Sequence, residues 1–264
     1  MADKLRVGAL ISGGGTNLQA ILDACGAGEI AADMVFVGTD NPNAAGLARA
    51  RKHGVPDFVV DYPAMLRDFR KDPDSASPPE DFVLAEVMKK QNLFKEGSDP
   101  ELVRRYLTAR AMCEARLLAK MSRFDWDLLV LAGFMRILTP YFIDRVNTDP
   151  GLPRIMNIHP ALLPAFPGTD GYGDTFRYGC MVGGCTVHFV DYGEDSGPII
   201  GQRAFAIEPG DTLDNVKKKG LTLEWQLYPE CIGLYAAGRL RVEDRVCDPP
   251  VMGQSRRKVV VQAP

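Results

Sequence analysis

The chain is poor in histidine and tryptophan, with three and two among 264 residues. It also lacks any apolar run near the roughly 20 residues of a membrane-spanning helix. The stretch Val7–Ile11, which follows the charged start Met1–Arg6, is too short for the core of a signal peptide, so a cytoplasmic protein with no membrane partner is expected. No charge excess is present: 31 basic and 34 acidic residues leave a net charge of −3. That balance removes the electrostatic case for a general nucleic-acid or membrane-surface binder, while a basic pocket for a small anion stays allowed. The six cysteines (Cys25, Cys113, Cys180, Cys185, Cys231, Cys247) are scattered, and the nearest pair, Cys180 and Cys185, lacks C-x-x-C spacing. Reduced thiols are expected, and no metal.

What is present is ordinary globular usage, 46% hydrophobic and 25% charged residues, in a length that suits one enlarged α/β domain. Short aliphatic runs alternate with amphipathic stretches. Strands are expected at Leu5–Ile11, Met34–Thr39, Phe58–Asp61, Leu128–Ala132, Ile155–Ile158, Cys185–Val190 and Ile199–Ala206. Helices are expected at Asn17–Cys25, Ala44–Lys52, Glu101–Met121, Pro140–Val146 and Thr212–Ala237, the last broken near Gly220 or Pro229. The pattern predicts a single doubly wound, mostly parallel sheet of about seven strands flanked by helices. Residues 71–100, rich in Pro, Asp and Ser, read as a surface excursion with one short helix in Phe82–Leu93. Residues 243–264 read as an extended tail, whose Val259–Val261 could also add an edge strand.

The first strand runs straight into Ser12-Gly13-Gly14-Gly15-Thr16-Asn17 and a helix. Glycines admit close backbone approach, and helix-start N–H groups favour negative charge, so the loop reads as a phosphate seat. The third glycine of G-x-G-x-x-G would fall at Leu18, and no Lys-Ser or Lys-Thr follows, which favours a monophosphate over a dinucleotide. Asp40, after the second strand, is nevertheless placed like a ribose-binding acid. His53 precedes Gly54 at a helix end, where the dipole explains it, and His188 lies mid-strand, as suited to a sheet interior as to chemistry. His159 ends a strand at the ligand-binding edge of an open sheet, and Asn157, two residues earlier, leaves the same face. Both can donate to a developing oxyanion. Asp191, Glu194 and Asp195 offer a carboxylate that could face His159 and keep its ring charged.

Together these segments resemble the phosphoribosylglycinamide formyltransferases, folate-dependent enzymes of purine synthesis with a Rossmann-like fold. The resemblance is carried by Leu10–Ile21, Leu131–Leu138, Asn157–Pro164, Val187–Val190 and Asp195–Ile200. It implies Asn157, His159 and Asp195 as the catalytic trio. It implies Gly15, Thr16, Asn17 and Glu224 as the ribonucleotide-binding set, and Arg110, Met135, Arg136, Ile137, Leu138, Asp191 and Asp195 as the folate-binding set. It also implies 10-formyltetrahydrofolate as co-substrate, no metal, small-molecule partners and a monomer or homodimer. Where that family often has Gly-x-His-x-His, this chain reads Gly168-Thr169-Asp170-Gly171-Tyr172.

The implied reaction is attack of the glycinamide amine on the formyl carbon, with the tetrahedral oxyanion held by His159 and Asn157 and a proton accepted with the help of Asp195. A 10-formyltetrahydrofolate hydrolase would share the trio but usually carries an additional N-terminal domain, and a methionyl-tRNA formyltransferase a basic C-terminal one. A nicotinamide-dependent dehydrogenase or a nucleotide sensor could use the glycine loop but would leave Asn157, His159 and Asp195 without a role. Residues 71–100 are expected to lie near the folate entrance, since they precede the helix bearing Arg110.

Overall fold

A computed structural model describes residues 4–73, 77–95, 97–246 and 255–263. Strands β1 (Leu5–Ile11), β2 (Ala32–Thr39), β3 (Asp57–Val59), β4 (Leu128–Leu131), β5 (Ile155–His159), β6 (Val182–Phe189) and β7 (Ile199–Ala206) form one open sheet in the order β3-β2-β1-β4-β5-β6-β7. The first five are mutually parallel, and β6 runs antiparallel to both β5 and β7. Strand direction from β1 leads outward both ways, so the loops after β1 and β4 part at the switch point and leave a crevice there.

The inner strands β1, β4 and β5 are buried on both faces, which is why they read as continuous apolar runs rather than alternating ones. Val7, Ala9, Ile11 and Val130 point to a core shared with Leu18, Leu227 and Tyr228 of helices α1 (Thr16–Ala27) and α8 (Leu213–Ala236). Leu10, Leu129 and Leu131 point the other way, onto Leu117 of α5 (Pro100–Met121) and Phe142 of α6 (Pro140–Val146). Helices α2 (Gly46–Lys52), α3 (Tyr62–Lys71), α4 (Leu84–Lys90) and α7 (Gly171–Tyr178) complete the chain order.

Three expectations are corrected. Helix α8 is not broken at Gly220 or Pro229; it runs unbroken because Val216, Gly220, Leu227, Cys231 and Tyr235 form a continuous buried stripe. The Tyr228 hydroxyl further pins it to the sheet by donating to the Met156 carbonyl at 2.8 Å. Helices α3 and α7 were not anticipated, because Asp61-Tyr62-Pro63 and Gly171-Tyr172-Gly173 look like turns. Asp61 instead caps α3 by accepting from the Ala64 N–H, and Pro63 occupies the first turn, where its missing donor costs nothing. The described part of the tail is extended, and Val259–Val261 do form strand, but not at the edge of the main sheet. Strands β8 (Leu240–Val246) and β9 (Ser255–Val261) pair with each other as a separate antiparallel sheet. Cys247, Pro249 and Pro250 lie outside the described residues.

The excursion packs closely. Phe82 and Val87 join Val103, Leu107 and Tyr141 in a small apolar cluster under α5 and α6. Asp81 accepts from Arg145 and from the Tyr141 hydroxyl. Lys90 pairs with Asp144 at 2.6 Å, the Asn92 N–H donates to the Tyr192 carbonyl at 3.2 Å, and the Tyr192 hydroxyl also donates to Asp144. The segment thus grips the stretch that leads from β6 toward Asp195.

Candidate active site

A cavity of about 410 Å³ opens at the crevice, lined by Asn17, Glu224, Met135–Leu138, His159 and Asp195 among others. Strand β5 places Asn157 and His159 on one face by its period of two, and the antiparallel register sets His188 of β6 directly opposite Asn157.

His159 is almost fully buried and engages both ring nitrogens. Nδ1 lies 3.1 Å from Asp195 Oδ2, and Nε2 lies 2.8 Å from the Phe166 carbonyl. Both partners are acceptors, so both hydrogen bonds exist together only when the ring is an imidazolium. Burial alone would lower the ring's affinity for its proton. The hydrogen bond and charge of Asp195, with the Phe166 carbonyl, more than offset this and raise the His159 pKa. Burial likewise opposes the charge of Asp195, yet His159, His188 and the Gly168 N–H hold its carboxyl well below the usual carboxylate range. Phe166 and Asp195 are the non-glycine residues with positive φ, 54° and 50°, among the described residues. The backbone departs from its ordinary wells at the two residues that grip the histidine, a pattern of strain held at a site.

Asn157 Nδ2 lies 3.5 Å from Asp195 Oδ1 and 3.3 Å from His188 Nε2. His188 Nδ1 is 2.8 Å from the Phe189 carbonyl and so is a donor, while Nε2 faces both Asn157 Nδ2 and, at 3.6 Å, Asp195 Oδ1. His188 therefore belongs to the site, beside the expected trio. Its mid-strand context concealed it, and the one available signal was its parity with Asn157 once β5 and β6 are paired.

At the loop after β1, Gly15 takes φ 68° as the residue preceding α1, a left-handed conformation that favours glycine. Asn17 reaches the cavity, whereas Gly15 and Thr16 sit at the more exposed turn before it and do not line it. Asn17 Nδ2 donates to Glu224 Oε2 at 2.7 Å, and the Tyr172 hydroxyl donates to Glu224 Oε1 at 2.6 Å. All three side chains are buried. Burial pushes the Glu224 carboxyl up, against the opposing pull of these two donors and of His159. Asn17 Oδ1 is buried without a protein partner.

Met135, Arg136, Ile137 and Leu138, after β4, line the same cavity, as do Asp191 and Asp195. This loop is held from below. Ser12 Oγ accepts from the Met135 N–H at 2.8 Å and donates to Asp40, and Arg136 pairs with Asp40 at 2.5 Å. Asp40 is 1% exposed and fully engaged, so it is a loop anchor and not the free ribose acid its position allowed. Arg110 is not a solvated helix charge, nor does it line the cavity. It is buried between Tyr62 and Tyr106 and donates to the Ile137 carbonyl at 2.6 Å, supporting the loop from behind. Among the described residues no group of three or more His, Cys, Asp or Glu side chains is arranged to hold a metal ion. Among them, too, no helix is long and apolar enough to cross a membrane.

Comparison with known proteins places this arrangement. The formyl transferase family model matches residues 5–232. The phosphoribosylglycinamide formyltransferase of Haemophilus influenzae is 32% identical over 241 residues, 91% of this chain and 92% of that protein. The trifunctional purine biosynthetic protein adenosine-3 of cattle (Bos taurus) is 30% identical over 246 residues, and the chain spans 20% of its length. The crystal structure of glycinamide ribonucleotide transformylase 1 from Symbiobacterium toebii superposes with a TM-score of 0.72 at 33% identity, covering 100% of this chain and 96% of that one.

Proposed function

The chain belongs to the formyl transferase family, and on that premise we propose that it transfers the formyl group of 10-formyltetrahydrofolate to the amine of glycinamide ribonucleotide. The observation that carries this reading is the doubly engaged His159, an imidazolium lining a cavity that also holds the Asn17–Glu224 pair and the loop Met135–Leu138.

In the proposed reaction the folate lies along Met135–Leu138, with the backbone of 191–195 meeting its polar edge. The ribonucleotide lies toward Asn17 and Glu224, and the exposed glycine turn with Thr16 and the start of α1 receives its phosphate. The amine attacks the formyl carbon, and the carbonyl π electrons move to the formyl oxygen. That oxygen takes the position of the Phe166 carbonyl at His159 Nε2, and Asn157 Nδ2 exchanges its long 3.5 Å contact with Asp195 for the same oxygen. Asp195 stays ionised to keep the ring protonated and orients the water that takes up the proton lost by the attacking amine. Collapse of the tetrahedral intermediate breaks the bond between the formyl carbon and the folate N10, which leaves carrying the proton that the amine gave up, delivered by the same water. Arg110 supports the folate loop through the Ile137 carbonyl rather than by contact. The compartment is the cytoplasm, the partners are small molecules, and the assembly is a monomer or homodimer. Residues 71–100 are an insertion within this formyltransferase unit.

The test incubates purified protein with 10-formyltetrahydrofolate, with and without glycinamide ribonucleotide, and follows loss of the formyl group by absorbance. Loss only with the amine substrate is the expected result. Loss without it would identify a hydrolase, and no loss in either case would refute formyl transfer altogether.

A further inference from the structure

We infer that Tyr172 is a positioning residue for the ribonucleotide, holding the Glu224 carboxylate in place for the sugar hydroxyls, and that Gly220 exists to admit its ring. The inference rests on the reading of Glu224 as a sugar ligand and adds to it the residues that aim it.

The geometry is a relay across three helices. Tyr172, in the first turn of α7, donates to Glu224 Oε1 at 2.6 Å, and Asn17 of α1 donates to Oε2 at 2.7 Å. Each carboxylate oxygen accepts from one protein donor and has a lone pair left. Together with the unpartnered Asn17 Oδ1, these lone pairs form a small array of acceptors at the edge of the cavity. Such an array selects adjacent hydroxyl donors, as on a ribose, over a deoxy sugar.

The tyrosine reaches the carboxylate because α8 carries glycine one turn before it. A Cβ at Gly220 would stand 2.1 Å from Tyr172 Cζ and 2.3 Å from its hydroxyl oxygen. Glycine inside a helix destabilises it relative to alanine by roughly 0.5–1 kcal/mol, and this one is fully enclosed, so a packing need outweighs that propensity. The tyrosine ring fills the place that the need describes. The groups facing Glu224 from packed elements are Tyr172 of α7, Asn17 of α1, His159 of β5 and Cys185 of β6. Lys217, on the same helix, is 3.9 Å from Asp170.

Steady-state kinetics for both substrates on wild type, Tyr172→Phe, Gly220→Ala and Glu224→Ala test the assignment, with thermal midpoints measured alongside. A hydrogen bond to a buried charge corresponds to roughly a tenfold or larger change in affinity. Tyr172→Phe and Gly220→Ala are expected to raise the ribonucleotide KM about tenfold, with folate KM and kcat changed less than threefold. In Tyr172→Phe the acid limb of kcat/KM for the ribonucleotide moves to higher pH, because Glu224 loses a donor that favours its charge. An unchanged ribonucleotide KM in Tyr172→Phe, where Glu224→Ala raises it, overturns the role of Tyr172 alone. No effect of Glu224→Ala on that KM refutes the sugar-ligand reading beneath it. Parallel losses in both KM values, kcat and thermal midpoint mean that Tyr172 only packs, which also overturns the inference.

Discussion

Replacing Asp195 by Asn is the most direct probe of the central histidine. It removes the negative charge 3.1 Å from His159 Nδ1 and leaves a group of the same shape. The buried ring then keeps the burial that lowers its pKa and the Phe166 carbonyl that raises it, and loses the partner responsible for most of the upward shift. An opposite charge in contact shifts a pKa by about 1–3 units, so the imidazolium fraction above the new value falls by about ten- to a thousandfold. The sign follows from the direction of the wild-type shift. The raised ring stays charged through the ordinary histidine range and discharges only as pH rises past its elevated value, whereas in the variant discharge begins at lower pH. The expected result is a kcat lowered by about 10²–10⁴ at pH 8, with the alkaline fall of kcat moved acidward. Two-dimensional NMR of the imidazole gives the ring pKa directly, and folate binding by fluorescence should change only slightly. A variant whose kcat is reduced by the same factor at every pH, with an unmoved ring pKa, would refute the reasoning.

Other expectations follow from single contacts. Glu114 is fully buried, accepts from the Thr139 N–H and hydroxyl at 2.8 and 2.6 Å, and is pushed up to about 7 by burial. A raised folded-state value stabilises below the unfolded pKa near 4.5 and loses that contribution as pH rises through 7. Glu114→Gln should therefore flatten the decline of the thermal midpoint between pH 5 and 8, by up to about 3 kcal/mol of unfolding free energy; an identical decline in both proteins argues against it. Gly15→Ala puts a Cβ 3.0 Å from Gly46 Cα at φ 68° and should destabilise by about 1–2 kcal/mol in urea unfolding. Asp144→Ala removes the shared acceptor of Lys90 and Tyr192 and should raise the folate KM severalfold with the ribonucleotide KM unmoved. Equal effects on both KM values would show that the insertion supports the whole fold and not the folate end.

Two strands match their expected limits: Leu5–Ile11, an apolar run buried along most of its length, and Ile199–Ala206, an edge strand bounded by Gly197-Pro198. Helices were legible where a long periodic stripe exists, as in α5, and were lost where the buried face is built from Gly171, Tyr172 and Gly173. Local turn chemistry there is outweighed by packing against α8, which no window around residue 172 contains. The site divides in the same way. Asn157 and His159 share a strand, and the residues of 135–138 share a loop, so spacing alone brings each group together. Asp40 and Arg110 have partners that the sequence does not reveal. Their partners, Arg136 and the Ile137 carbonyl, stand 96 and 27 residues away, and only tertiary structure shows a charge to be already matched. His188 is the clearest loss, since its role depends on a cross-strand register that no single segment encodes.

That register has a consequence for how the molecule can change. Asn157 and His159 present one face of β5, and His188 joins them because the antiparallel partner meets β5 with Asn157 opposite it. Side-chain direction in a strand has only two values, so a single residue gained or lost within Gly184–Val187 would turn His188 through the sheet into the opposite core. The face carrying Asn157, His159 and His188 is protected by parity: a change in length at 71–100 or beyond β7 leaves its direction alone, whereas along β6 even the smallest change in length inverts it. Sequence length is elastic around this site and quantised within it.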